Sequence, residues 1–138
     1  MAESVFFKWT ERMSVGSVEI DQQHKKLVNM LNELYQAFIE KEHKEKIGSI
    51  LDQLIDYTRV HFNTEEKYFT LFNYANKDKH IAEHQVFRKK VDEFIIKYKK
   101  NNGSLTYDVM NFLRNWLNNH IMDSDQQYIE CFAKNGVI

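Results

Sequence analysis

Residues 47–72 read IGSILDQLIDYTRVHFNTEEKYFTLF, and the spacing of their apolar positions decides the fold. Ile47, Ile50, Leu51, Leu54, Thr58, His61, Glu65, Tyr68, Phe69 and Phe72 recur three or four residues apart, the mark of one face of an α-helix. The first half of that face is aliphatic. The second half carries His61 and Glu65, four residues apart and therefore within about 40° of each other around the helix. An unpaired carboxylate in a core is costly and must be neutralised or paired. This helix therefore calls for polar partners on its neighbours.

The rest of the chain supplies three more helical stripes. Upstream, Ile20, His24, Leu27, Leu31, Leu34 and Phe38 form one, with Ser17 placed to cap it. Downstream, His80, His84, Phe87, Val91, Phe94, Ile95 and Tyr98 form another, whose last turn carries Lys97, Lys99 and Lys100 at the negative end of the helix dipole. Asn101-Asn102-Gly103 is a stop signal, and Ser104 then caps a stripe of Leu105, Val109, Phe112, Trp116 and His120. The reading is an all-α, antiparallel up-down four-helix bundle, with helices over about 18–40, 44–73, 77–100 and 104–132. Residues 1–17, with Phe6, Phe7 and Trp9, show no sustained period and are expected as an arm packed over the bundle. No repeat, linker or low-complexity tract divides residues 1–138, so one domain is expected.

Composition excludes several function classes. With 19 basic and 20 acidic residues the formal charge is −1, which argues against nucleic acid as a partner. No apolar run approaches the roughly 20 residues needed to span a bilayer, and MAESVFFKWTERM lacks the basic-then-apolar order of a secretory signal. The single cysteine, Cys131, cannot form an intrachain disulfide. A monomeric cytoplasmic protein is expected. Proline is absent, which leaves long helices uninterrupted.

Five of the six histidines fall on the apolar stripes: His24, His61, His80, His84 and His120. Glu65 and Asp125 join them. In an up-down bundle the first halves of helices one and three lie level with the second halves of helices two and four, so all seven meet in one layer, with no basic side chain on the stripes beside them. His43 lies in a Lys/Glu-rich connection and reads as a surface residue. Seven ligands exceed the six that one first-row ion ordinarily takes and suit two ions sharing carboxylates. Imidazole mixed with carboxylate favours iron over calcium or magnesium, and the absence of thiolates disfavours structural zinc. A hydroxide-bridged diferrous core with two carboxylates is formally about +1, low enough to bury. Histidine-rich ligation favours reversible oxygen binding over oxygen cleavage. His120 and Asp125, five apart, would point about 140° away from each other in a regular helix. A π-type turn, kink or helix end is therefore expected between them.

The segments Ile20-Asp21-Gln22-Gln23-His24-Lys25, His61-Phe62-Asn63-Thr64-Glu65-Glu66, His80-Ile81-Ala82-Glu83-His84 and His120-Ile121-Met122-Asp123-Ser124-Asp125 resemble the ordered ligand motifs of the hemerythrin family. Trp9-Thr10 and Val15-Gly16 resemble its bacterial single-domain branch. The resemblance implies His80, His84 and His120 on one iron, His24 and His61 on the other, and Glu65 and Asp125 as bridges beside an oxo or hydroxo group. It implies an open position on the two-histidine iron for molecular oxygen, with Trp116, Leu117 and Met122 lining a dry pocket there and Tyr128 standing behind the ligands. The function so implied is non-enzymatic oxygen binding for storage, transport or delivery to an oxygen-consuming protein. The alternatives are a di-iron peroxidase, oxidase or nitric-oxide-handling enzyme, and an oxygen or redox sensor. Sensors of the family usually carry a signalling domain, whereas this chain ends a few residues after helix four.

Overall fold

A computed structural model describes residues 6–100 and 107–138 of the chain. Helix α1 spans Val18–Ile39, α2 Lys44–Leu71, α3 Lys77–Lys100 and α4 Tyr107–Asn119. The Asn101-Asn102-Gly103 stop, the Ser104 cap, Leu105 and the first residues of the arm lie outside the described residues. After α4 the chain runs through a π-helical turn, His120–Ser124, a 3-10 turn, Asp125–Tyr128, and a short helix α5, Ile129–Lys134. The single helix expected to continue to about residue 132 is thus broken where the spacing of His120 and Asp125 calls for a break.

Local chemistry explains the other ends. The Ser17 hydroxyl accepts the amide of Ile20 at 3.3 Å, the expected cap. Helix α1 stops at Lys41 (φ 54°) and α2 at Asn73 (φ 50°), both left-handed. There Glu42 N–H reaches back to Ala37 O and Tyr74 N–H to Phe69 O, which satisfies carbonyls left over at the helix ends.

Neighbouring helices run antiparallel. The Tyr98 hydroxyl, late in α3, donates to Lys44 O at the start of α2, and Phe38 at the end of α1 meets Tyr107 at the start of α4 with ring centres 4.8 Å apart. The arm lies on the bundle: Phe7 gives its N–H to the Asn32 side-chain oxygen (2.8 Å) and takes the Asn32 amide on its carbonyl (2.7 Å). Gly16 has φ +83°, and a Cβ there would stand 2.8 Å from Ile138 Cγ2, so only glycine allows the arm past the C-terminus. No helix among the described residues is long and apolar enough to cross a membrane.

The core is in two parts. A larger cluster includes Leu27, Leu31, Leu34, Leu54, Phe62, Phe87, Leu113, Leu117 and Ile121; a smaller one at the other end holds Val15, Ile20, Phe69, Tyr74, Tyr128 and Phe132. Each fully buried large apolar side chain contributes about 1.5–3 kcal/mol. Helices α1, α2 and α3, and the stretch that runs from α4 through the two turns to α5, each pass from one cluster to the other, and at the crossing each carries polar ligand-type residues: His24 after Ile20, Glu65 between Phe62 and Phe69, His84 before Phe87, and Asp125 between Ile121 and Tyr128.

Candidate metal centre

All seven polar stripe residues are buried, with Glu65, Asp125, His24 and His84 at 0% exposure. Their imidazole Nε2 atoms converge. His80 and His84 each place Nε2 at 3.0 Å from Nε2 of His120, and His24 stands 2.9 Å from His61. Asp125 touches both groups, with Oδ1 2.9 Å from His80 and 3.1 Å from His120, and Oδ2 3.0 Å from His24. Glu65 Oε1 does the same, at 3.2 Å from His84 and 3.3 Å from His61. Two four-residue groups result, Glu65, His80, His84, His120 and His24, His61, Glu65, Asp125, each with ligand atoms within 4.8 Å of one another.

This donor set suits cations better than it suits itself. Three Nε2 atoms facing one another cannot all be satisfied by the few protons available, and Glu65 Oε1 and both oxygens of Asp125 are buried without a well-directed hydrogen bond. Nitrogen and carboxylate donors arranged around two centres, with carboxylates facing both, fit a pair of transition-metal ions.

The π turn makes this possible. By taking up one extra residue it brings Asp125 onto the face occupied by His120, and Asp125 N–H bonds to His120 O, five residues back. The Gln126 side-chain amide steadies the turn from outside, donating to Ile121 O (3.2 Å) and, across to the arm, to Met13 O (3.4 Å).

Electrostatics set the protonation pattern. Burial tends to raise the carboxyls, yet the surrounding histidines hold Glu65 below and Asp125 well below the usual carboxylate range. Burial pushes His61 down to about 4. Burial pushes His24 and His84 down, but the carboxylates around them together raise both: Asp125, Glu65 and Asp21 for His24, and Glu65, Glu66 and Asp125 for His84. Burial, then the negative charges of Glu65 and Asp125, lift Tyr128 well above its ordinary value, so its hydroxyl keeps the proton it donates to Glu65 Oε2 at 2.6 Å.

The far nitrogens of the rings have their own partners. His61 Nδ1 meets Gln23 Oε1 at 2.7 Å, and the Gln23 amide continues to Thr64 Oγ1. His84 Nδ1 meets Glu66 Oε2 at 2.7 Å, and Arg88 holds that oxygen at 3.0 Å. Glu83 Oε2 stands 3.4 Å from His120 Nδ1. Sequence reasoning singled out Tyr128 but passed over Gln23, Glu66 and Glu83. Each lies beside a ligand in the chain, and such adjacency was the available signal. Arg88, off the apolar stripe one turn after His84, lies over the Phe62 ring at 5.2 Å and reaches Glu66. It balances the outer carboxylate.

Of the expected pocket residues, Trp116 stacks on His120 (4.4 Å between centres) and touches Phe62 and Phe87, on the three-histidine side. It is half-buried, beside a cleft of about 240 Å³ lined by Glu83, Asn119, His120, Asp123 and Ser124. Leu117 is buried in the larger apolar cluster, and Met122 packs against it half-buried. His43, exposed, pairs only with Glu45 among the described residues.

Comparison with known proteins agrees with this geometry. The family model described as "Hemerythrin HHE cation binding domain" matches residues 15–132. The chain is 31% identical over 122 residues to a bacteriohemerythrin of Stenotrophomonas maltophilia, covering 88% of this chain and 78% of that one. It is 30% identical over 128 residues to a bacteriohemerythrin of Clostridium acetobutylicum, covering 90% and 99%. A crystal structure of wild-type hemerythrin superimposes with a TM-score of 0.85 at 31% identity, over 91% of this chain and 96% of that chain. A buried layer of histidine and carboxylate donors on four antiparallel helices, matched along nearly its whole length by these relatives, makes this chain a member of the hemerythrin family.

Proposed function

We propose that the seven buried ligands hold two iron ions and that the protein binds molecular oxygen reversibly, as a carrier or store and not as an enzyme. In this reading His80, His84 and His120 would hold one ion and His24 and His61 the other, and Glu65 and Asp125 would be shared between them, beside an oxo or hydroxo group. The observation that carries it is the sharing of Glu65 by two buried ligand groups, with Asp125 also within reach of histidines from both. An iron pair so held supplies two-electron exchange with molecular oxygen. The chain's own residues do the rest. Two histidines on one side against three on the other leave the two-histidine ion one protein ligand short, and that side is where oxygen would bind. The apolar clusters above and below the layer exclude water. Tyr128 donates to Glu65 and, with its proton held firmly, releases none to the site. Leu117 and Met122, with Trp116 over His120, are assigned to the apolar surround that withholds further protons.

The test is anaerobic loading with ferrous iron, then oxygen titration and removal. The expected result is two irons per chain, uptake of one oxygen per pair, and a visible absorption that appears with oxygen and fades under argon over repeated cycles. Irreversible oxidation on first exposure, with hydrogen peroxide released or a co-substrate consumed, would replace the carrier with an enzyme.

A further inference from the structure

The outer partners of the ligands are unequal in charge. On the three-histidine side His84 Nδ1 is hydrogen-bonded to the carboxylate of Glu66, held by Arg88, and Glu83 Oε2 stands 3.4 Å from His120 Nδ1, in ion-pair reach but outside a hydrogen bond. On the two-histidine side His61 faces the neutral amide of Gln23, and His24 Nδ1 is buried without a partner. A carboxylate accepting an imidazole N–H raises the basicity of the other nitrogen and so strengthens donation to a bound ion. A neutral amide orients the ring without adding charge. Arg88 cancels part of the Glu66 charge. Glu83 pairs with no lysine or arginine among the described residues, while Asp21, the carboxylate one turn before His24, is taken up by the Ser14 hydroxyl and the Val15 N–H, so the three-histidine side has the more direct carboxylate contacts.

We propose that Glu66 and Glu83 are positioning residues that make the three-histidine ion the easier of the two to oxidise, while Gln23 keeps the two-histidine ion the harder. The proposal rests on the two-iron reading above. In each oxidation one ferrous ion gives one electron to a one-electron mediator dye. No covalent bond in the protein breaks, and the Nδ1 proton of His84 shifts toward Glu66 as the ring donates more strongly. The functional consequence is an ordered pair: the side without a third histidine stays ferrous longest.

The experiment uses the full chain loaded anaerobically with ⁵⁷Fe, in wild-type, Glu66→Gln, Glu83→Gln and Gln23→Glu forms. Iron content is measured first, followed by a mediated redox titration with Mössbauer spectra at the half-oxidised point. The wild type is expected to oxidise in two steps, with one ferrous and one ferric signal at the half-point. Glu66→Gln and Glu83→Gln should move the first step to higher potential and bring the two steps together. Gln23→Glu should move the second step to lower potential. Weakening of ferrous binding by about 10- to 100-fold is expected for Glu66→Gln. Should that variant lose its iron, Glu83→Gln and Gln23→Glu still decide the matter. Joint oxidation of both ions in the wild type, or variants that hold two irons with unmoved steps, overturns the proposal alone. Fewer than two irons in the wild type overturns the two-iron reading, and this proposal with it.

Discussion

At the scale of the residue, the site is a competition between protons and cations for the same nitrogens. Burial pushes His24 and His84 down, but the carboxylates around each together raise it above the ordinary 6.5, so both hold their protons to higher pH than a free imidazole does. A ligating imidazole must be neutral, so binding displaces those protons. Cation affinity should therefore fall as the pH is lowered through their raised values. The stability that these two histidines lend the metal-free fold runs the other way: it is complete below 6.5 and is lost as the pH rises through their raised values. An indicator dye in weakly buffered solution should register proton release when ferrous or zinc ion is added, and His43→Ala should leave that release unchanged. Binding without proton release would show that the charge pattern around His24 and His84 has been misread.

At the scale of the element, the π turn is the device that turns two residues five apart toward one centre. It holds one residue more than a regular helix would, and Asp123 sits on its exposed side. Deleting Asp123 would place Asp125 four residues after His120, about 40° round a regular helix, still on the ligand face. The deletion variant should keep its full cation content. Inserting an alanine after Asp123 would swing Asp125 about 100° further away, and one bridging carboxylate should be lost with at least one ion. Metal analysis of the two variants, with helical content checked by circular dichroism, distinguishes them. Retention by the insertion and loss by the deletion would mean that the turn does not set the direction of Asp125.

For the whole molecule, the polar layer interrupts the core between its two apolar clusters, and the metal-free protein carries that burden. Among the seven stripe residues, three carboxylate oxygens are buried without a well-directed hydrogen bond, one on Glu65 and two on Asp125, and they weigh against the fold until cations meet them. A ligand that binds only the folded state at a thousandfold excess over its Kd stabilises by about 4 kcal/mol. For a chain of this size that is a rise in Tm of about 14 °C. Thermal unfolding followed with and without iron, and again after chelation, should show the rise and its reversal. An unchanged Tm with iron bound would mean that the ion binds the unfolded chain as well as the folded one, and that the buried layer is not what holds it.

How much of this was legible beforehand follows from what each interaction depends on. The stripes of Leu27, Leu31 and Leu34 in α1, or Ile47, Leu51 and Leu54 in α2, obey a local period that the chain carries wherever it folds. So the sequence by itself determined four helices and their buried faces. It also determined the polar residues on those faces, because His61 and Glu65 lie one turn apart on the same surface. Even the break in α4 was implied, since His120 and Asp125 are one residue too far apart for a regular turn. The tertiary structure decided what depends on side-chain ends arriving from different helices. Glu66 reaches His84 and Arg88 on α3, Gln23 crosses from α1 to His61, and Trp116 turns to His120 rather than to the two-histidine side. A helical period shows which way a Cβ points. Only the packed crossing of two helices shows what a long flexible side chain touches at its far end, and the asymmetry of charge around the two halves of this site resides there.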